Sequence, residues 1–169
     1  MATKEELQKR VAELEGRIEE ITAEHAKQMG QSRGMLQQVL DTIPIRVFWK
    51  DKDLNYLGCN QLFASDAELD SPQEIIGKND FELTWAKAAE LYRADEQQVI
   101  DSGEAKVNYE ESQSTEDGSE LWLRISKIPL RDSEGNITVV LGTYDDITEH
   151  KQAELDREHL QQEVIDAKQ

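Results

Sequence analysis

The first forty residues carry apolar side chains at a heptad spacing, in a stretch (residues 3–43) that contains no proline. The spacings alternate between four and three along Leu7, Val11, Leu14, Ile18 and Ile21. On an α-helix this period returns to one stripe, which a single helix would leave in water. The same count continues through His25, Gln28, Ser32, Met35 and Val39. We predict that residues 1–40 form a coiled-coil dimerisation helix. A single amphipathic helix lying on its own domain is the alternative.

The pattern changes at Ile43-Pro44, because a residue before proline is disfavoured in the helical conformation. Residues 46–50 then read as a strand, Asp51-Lys52-Asp53 as a turn and residues 56–59 as the second strand of a hairpin. Asn60 is placed to cap a short helix that runs to Ala67.

Two further helices and three further strands follow. Ser71-Pro72-Gln73-Glu74 has the pattern of a capped helix start and predicts one turn that stops at Gly77. A longer helix is predicted from near Trp85 to Ser102, where Gly103 ends it. Strands are predicted over 105–113, 120–130 and 137–145, with turns at 116–118 and 132–135. Strands at both ends with helices between them predict an α+β fold with an antiparallel sheet covered on one face.

Composition and charge narrow the function classes. The net charge is −17, which disfavours nucleic acid and anionic membranes as partners. Residues 41–146 hold 23 acidic and 10 basic residues, a net charge of −13. One cysteine excludes an internal disulfide framework, and no apolar run approaches the roughly 20 residues that span a bilayer. We expect a cytoplasmic protein.

Residues 36–150 resemble a PAS domain, and several short pieces carry the resemblance in order. The pieces are Phe48-Trp49-Lys50-Asp51, Tyr56-Leu57-Gly58-Cys59-Asn60 with Phe63, Glu74-Ile75-Ile76-Gly77-Lys78, Asp117-Gly118 before Trp122-Leu123, Pro129-Leu130-Arg131-Asp132 with Gly135, and Gly142 before Asp145-Asp146-Ile147-Thr148-Glu149. The resemblance implies a five-stranded antiparallel sheet in the order 2-1-5-4-3, with helices over one face and a pocket between. It implies a PAS sensor domain at 41–146.

Haem is disfavoured as an occupant of that pocket. PAS pockets hold haem, flavin, small organic acids, metals or nothing. The three histidines are His25, His150 and His159, and residues 41–146 contain neither histidine nor methionine, the usual axial ligands together with cysteine. Of these ligand types only Cys59 remains in the domain. No zinc-ligand spacing appears, so no metal is expected.

A flavin remains open. In the light-sensing flavin-binding PAS proteins, a Gly-x-Asn-Cys stretch supplies the cysteine that bonds the flavin, whereas this chain has Asp80 at that position after Asn79. Gln113 aligns with an amide at the flavin edge, while a second such position holds Leu123. FAD-binding redox sensors carry a tryptophan on the long helix, at a position that falls near Gln97. The resemblance gives these candidate residues for bound FAD: Asn60, Phe63, Asn79, Phe81, Trp85 and Gln113.

The alternatives are a small metabolite or no ligand at all. In the last case Trp85, Phe81, Trp49 and Trp122 would be aromatics of the core or of a dimer face. Gln113 is the candidate residue for reading the pocket, since an amide that flips exchanges a donor for an acceptor. Glu110 and Glu111 cannot converge as an acid–base pair, because neighbouring strand residues point to opposite faces. With no nucleophile–base set or phosphate loop, we do not expect an enzyme.

The last strand runs almost directly into residues 147–169, a predicted signalling helix with Asp145 or Asp146 as its cap. Leu160, Val164 and Ala167 repeat the four-and-three spacing, so this helix is expected to assist the homodimer. Its end resembles the linker ahead of STAS domains, and a histidine kinase is the other expected output domain. STAS ranks slightly higher on sequence. The prediction is a dimeric sensor module whose pocket event reaches an output domain through its flanking helices.

Overall fold

The computed structural model describes residues 3–114 and 118–166, which divide into two compact units between Thr42 and Ile43. The first unit is one helix, α1 (Lys4–Thr42), without a buried side chain. It starts at Thr3, whose hydroxyl accepts from Glu6 N while the Glu6 carboxylate accepts from Thr3 N. These reciprocal bonds satisfy donors that a helix start leaves open.

The second unit contains five strands and three α-helices within the residues described. The strands are β1 (Arg46–Asp51), β2 (Tyr56–Cys59), β3 (Lys106–Ser114), β4 (Glu120–Arg131) and β5 (Ile137–Asp146). The helices are α2 (Gln61–Asp66), α3 (Ala89–Ser102) and α4 (Thr148–Asp166), with 3₁₀ turns at Pro72–Ile75, Asp80–Glu82 and Ala86–Ala88. Every pairing is antiparallel, and the order is β2-β1-β5-β4-β3. The predicted fold class and strand order are confirmed.

The residues predicted to begin or end helices do so in the structure. The Asn60 side chain accepts from Phe63 N and so caps α2, and Ser71 forms a capping box with Glu74. Gly103 ends α3 with a left-handed φ of 67°, which glycine adopts without a Cβ clash. The long helix starts later than predicted, because residues 86–88 form a tighter 3₁₀ turn and regular α-helix begins at Ala89.

Two of the predicted turns use an aspartate as an internal cap. Asp51 Oδ1 accepts from the backbone N–H groups of Asp53 and Asn55, and Asp132 does the same for Glu134 and Asn136. These bonds hold the tight connections between β1 and β2 and between β4 and β5. The third predicted turn, at 116–118, lies outside the described residues except for Gly118.

Aromatic rings fill the core between the sheet and α2. The Phe63 ring lies 4.8 Å from Phe48 and 5.6 Å from Tyr56, measured between ring centroids. The Phe48 ring lies directly over Gly142 of the neighbouring strand, where a Cβ would come within 2.1 Å of a ring carbon. The close approach of an aromatic ring therefore requires glycine at position 142. In the sequence, Gly142 was noted only as one of the residues that carry the family resemblance.

Gly142→Ala tests this packing. Overpacking of this kind costs about 1–3 kcal/mol of unfolding free energy, because the Phe48 ring has to leave its rotamer or the sheet has to shift. Urea unfolding followed by tryptophan fluorescence measures it, since Trp49, Trp85 and Trp122 all lie in the second unit. Gly34→Ala in α1 is the matched control, because nothing lies within 4 Å of its added methyl group. Equal midpoints for both variants would contradict the close approach.

Candidate functional site

Strand register builds one wall of a cavity. Side chains on one face of a strand recur at every second residue, and β4 supplies Leu121, Leu123, Ile125 and Lys127 to this face. In the paired strands, Tyr109 and Tyr144 lie on either side of Ile125. The next row places Glu111 and Asp146 on either side of Leu123 in the same way.

The opposite wall comes from the segments between β2 and β3. Trp85 precedes α3, and α3 contributes Leu91, Tyr92, Asp95 and Glu96. Together the walls enclose a cavity of about 540 Å³ that is open to solvent on one side. This volume lies within the range of pockets for small organic ligands, ~300–1,000 Å³.

A fully buried ammonium group lies behind two acidic residues of the cavity wall, Asp80 and Glu96. Lys50 Nζ lies 2.8 and 2.6 Å from the two carboxylate oxygens of Asp80 and 2.7 Å from Glu96 Oε2. None of the Lys50 side chain is exposed to solvent. The same ammonium lies 4.4 Å from the centroid of the Tyr56 ring, whose face attracts cations. Lys50 thus joins β1 to the 3₁₀ turn at Asp80 and to α3.

Asp80 also accepts from neutral donors. The Tyr56 hydroxyl donates to Asp80 Oδ1 at 2.8 Å, and the Trp85 indole N–H donates to the same oxygen at 3.3 Å. Burial and the adjacent Asp80 carboxylate raise the pKa of Tyr56, so its phenol remains protonated and acts as a donor. Trp85 is therefore held through its indole N–H, and its ring lies in the cavity wall.

A second lysine, Lys127, lies between two acidic side chains in the cavity wall. Lys127 Nζ lies 3.0 Å from Asp95 Oδ2 and 3.6 Å from Glu96 Oε1. Asp95 also accepts from Lys106 and from the Tyr109 hydroxyl. Burial alone would raise the pKa of Asp95, but the bonds from Lys106 and Tyr109 outweigh burial and lower it to about 2. Asp95 is therefore ionised at neutral pH.

Another ion pair of the cavity wall joins Arg46 to Asp66. The Arg46 guanidinium donates to Asp66 at 2.9 Å, and the Tyr144 hydroxyl donates to the same carboxylate at 2.7 Å. Burial and Asp66 raise the pKa of Tyr144, so this phenol too is a donor at neutral pH. Within the residues described, no buried side-chain nitrogen or oxygen lacks a hydrogen-bond partner.

Two of the six predicted cofactor residues line the cavity, namely Trp85 and Gln113. Asn60 is fully buried and bonds the backbone of residues 45, 47 and 63. Phe63 lies inside the aromatic core, and Asn79 caps the 3₁₀ turn at 80–82. The Phe81 ring is 52% exposed and contacts the Arg93 guanidinium. These four lie outside the cavity wall.

The charged residues of the site were not predicted from the sequence. Lys50 is two residues after Phe48, so it shares the inward face of β1, and a charge on that face was the available signal. Glu96 gives a similar signal, because it lies in the stripe of α3 that also buries Ala89 and Val99. For Asp80 the sequence carries no signal beyond its position in the family pattern, and for Asp95 it carries no signal that we recognise.

The opposite face of the same strands carries the first turn of α4. The backbone N–H of Ile147 donates to Trp122 O, and Trp122 N donates to the Thr148 hydroxyl, both at 2.9 Å. Asp146 Oδ1 accepts from the N–H of Thr148 and so caps the helix, as predicted. Lys151 Nζ then reaches Glu110 Oε2 of β3 at 2.6 Å. Residues that hold α4 therefore alternate along β3 and β4 with residues that line the cavity.

The family follows from a direct match. Residues 40–152 match the family model described as the PAS fold. The chain belongs to the PAS-fold family. It is thus a PAS sensor domain with flanking helices, as the resemblance implied, and it is related to histidine kinase sensor proteins. Among the described residues, none of the helices has both the length and the apolar composition needed to cross a bilayer.

Two curated relatives are signalling proteins. The aerobic respiration control sensor protein ArcB of Escherichia coli is 28% identical over 128 residues, which cover 72% of this chain and 15% of ArcB. The methanogenesis regulatory histidine kinase FilI of Methanothrix harundinacea is 29% identical over 127 residues, 75% of this chain and 14% of FilI. The chain therefore spans about one seventh of the length of these relatives.

A solved structure extends the comparison. VqmA of Vibrio cholerae, described as a dimer, aligns with a TM-score of 0.58 at 25% identity, covering 68% of this chain and 52% of VqmA. A structure of VqmA bound to DPO aligns with a TM-score of 0.56, also at 25% identity.

Lys50→Met tests the buried cluster of the PAS domain. Removing one partner of a buried ion pair costs about 3–5 kcal/mol, because Asp80 and Glu96 would keep their charges without a cation between them. The unfolding free energy in urea measures this loss. Lys106→Met is the matched control, because its side chain is 38% exposed and such pairs contribute about 1 kcal/mol or less.

The triple variant Lys50→Met, Asp80→Asn, Glu96→Gln removes the stranded charges as well and is expected to regain part of the lost stability. Similar losses for Lys50→Met and Lys106→Met would contradict a buried role for Lys50.

Proposed function

We propose that the chain is a dimeric PAS sensor module that binds a small organic molecule in its cavity and transmits the binding event through α4 to an output domain. The observation that carries this proposal is the arrangement of β3 and β4. One face of these strands lines the cavity, and side chains on the other face, Glu110 and Trp122, contact Lys151 of α4. The module acts by binding and conformational change, without a catalytic step.

The route through the sheet is short. Glu111 and Leu123 line the cavity, while their chain neighbours Glu110 and Trp122 contact α4. A ligand that shifts Leu123 or Glu111 therefore moves the strand backbone to which α4 is bonded. Such a shift requires only a few kcal/mol of differential binding between two states.

Ligand binding is supported by the cavity and by a relative. A spacer without a ligand would have a filled interior, whereas this domain has a cavity of about 540 Å³ with aromatic and charged walls. VqmA, at 25% identity, has a structure bound to DPO. The output domain is proposed to be of the histidine kinase type, because ArcB is a sensor protein and FilI a histidine kinase. A STAS domain remains the alternative.

A thermal-shift screen of small organic compounds on the 169-residue chain tests ligand binding. A ligand at 100 times its dissociation constant stabilises the folded state by about 2.7 kcal/mol, which raises the unfolding midpoint by several degrees. Ile125→Trp fills the cavity and is expected to abolish that rise. Leu130→Trp is the matched control, because residue 130 lies on the other face of β4 and is 40% exposed.

The same hit compound tests transmission. Hydrogen exchange at residues 148–152 is expected to change on binding, and Lys151→Met is expected to keep the midpoint rise but reduce the change in exchange. A rise that survives in Ile125→Trp would place binding outside the cavity. A library without any hit would instead favour the spacer function.

The dimer is proposed to form through α1 with help from α4. The apolar heptad residues of α1 are exposed, from 43% for Leu14 to 69% for Met35, so a second copy would cover the apolar stretches at 7–21 and 35–39. Leu160 and Val164 of α4 are likewise exposed. VqmA, a relative, is described as a dimer.

Ile18→Lys places a charge within the α1 stripe and is expected to shift the chain from dimer to monomer at micromolar concentration. Ala23→Lys adds the same side chain at the heptad position farthest from the stripe and is expected to leave the dimer intact. Sedimentation equilibrium measures both masses. A wild-type monomer, or equal dissociation of the two variants, would contradict the coiled coil.

FAD as a redox cofactor is the second candidate, favoured by Trp85 and Gln113 in the cavity wall. Those residues would contact the isoalloxazine ring, whose reversible reduction would supply the signal. The pyrophosphate fits poorly, because Arg46 of the cavity wall is already paired with Asp66. The absorbance spectrum of the purified protein distinguishes the candidates, since bound flavin absorbs visible light and is released on denaturation.

A further inference from the structure

This inference rests on the proposed sensing function and concerns the chemistry of the ligand. We propose that the cavity takes a small aromatic cation, a flat ring that carries a protonated nitrogen. Four features of the site point to this class: the aromatic walls, the paired state of the donors, the position of two carboxylates and the charge of the domain.

The walls suit a flat ring. Trp85, Tyr92, Tyr109 and Tyr144 contribute aromatic surface, and Leu121, Leu123 and Ile125 contribute an apolar floor. Leu91, which is 69% exposed, extends this apolar surface to the mouth. Aromatic faces attract both flat rings and cations, and the domain already uses this attraction where Lys50 lies against Tyr56.

The donors around the cavity are occupied by the protein itself. Lys50 and Lys127 contact Asp80, Asp95 and Glu96, while Arg46 contacts Asp66. The hydroxyls of Tyr56, Tyr109 and Tyr144 and the indole N–H of Trp85 also donate to these carboxylates. A ligand carboxylate or phosphate would therefore have to break an existing ion pair to gain a cationic partner.

Two carboxylates that take no part in these ion pairs lie toward one end of the apolar floor of the cavity. Glu111 and Asp146 lie on either side of Leu123 in the sheet register. Two strand spacings place their Cα atoms about 10 Å apart. Within residues 3–114 and 118–166, the Glu111 side chain forms no ion pair or hydrogen bond. Asp146 uses Oδ1 for Thr148, which leaves its other oxygen available. A cation lying over Leu123 would meet both carboxylates.

The whole domain adds a long-range preference. Residues 41–146 carry a net charge of −13, so the potential around the mouth attracts cations and repels anions. This attraction raises the association rate of a cationic ligand at low ionic strength and weakens when salt is added.

Three indole compounds that differ in side-chain charge test the class: tryptamine as the cation, tryptophol as the neutral compound and indole-3-propionate as the anion. Each is titrated into the full 169-residue chain at pH 7 and low salt, and amide NMR shifts of β3 and β4 report binding. Tryptamine is expected to bind about tenfold more tightly than indole-3-propionate, with tryptophol between them.

Glu111→Gln tests whether the preference for a cationic ligand arises at Glu111. It is expected to weaken tryptamine binding about threefold to fivefold and to leave tryptophol binding unchanged. Glu120→Gln is the matched control, since Glu120 precedes Leu121 on β4, points to the other face of the sheet and is exposed. It is expected to change neither affinity.

The outcomes separate this inference from the sensing function. Equal or tighter binding of indole-3-propionate would overturn the cationic class while leaving a cavity that binds ligands. Equal effects of Glu111→Gln and Glu120→Gln would overturn the proposed contact. Failure of all three compounds to shift the cavity amides would overturn the aromatic cation, whereas the sensing function would still depend on the library screen and on Ile125→Trp.

Discussion

Lys50 places a fully buried positive charge inside a domain of modest size, and the surrounding structure compensates for it. Taking an ammonium from water costs several kcal/mol, which close and well-oriented anions have to offset. Asp80 and Glu96 supply these anions within 2.8 Å. Because the two acids come from a 3₁₀ turn and from α3, one lysine fixes both against β1. The helical wall of the cavity therefore has its position set by charge as well as by apolar packing.

The same principle explains why a cavity can persist beside the charged cluster. An apolar core collapses around a void because each side chain gains contacts by moving. Here Trp85, Tyr109 and Tyr144 are each held by a hydrogen bond to a carboxylate, Asp80, Asp95 or Asp66. Moving any of these rings inward would break its hydrogen bond to a carboxylate. These polar bonds thus hold the aromatic walls apart and keep the cavity open.

Sequence reasoning succeeded where one residue determines local geometry. Asn60, Ser71 and Gly103 act through their own backbone neighbours, so their positions predict helix ends directly. The site was harder, because its contacts join residues that are 30 and 46 positions apart, as in Lys50–Asp80 and Lys50–Glu96. Alternation along β1 was a signal that could have placed Lys50 on the inward face, but no local pattern identifies the partners of a buried charge. Asn60 and Phe63 were proposed as cofactor residues from the resemblance, and their packing within the core came only from the structure.

In the proposed function, the alternation of strand side chains connects ligand binding to α4. Glu110 and Glu111 were set aside as a catalytic pair because they point to opposite faces, and this opposition is what a transmitting strand needs. Glu111 lines the cavity while Glu110 holds Lys151 of α4. A ligand that neutralises Glu111 changes the potential at the same strand position that anchors the helix. Since one fold can carry different sites, the charge of the lining residues can select the ligand while the backbone keeps the proposed route to α4.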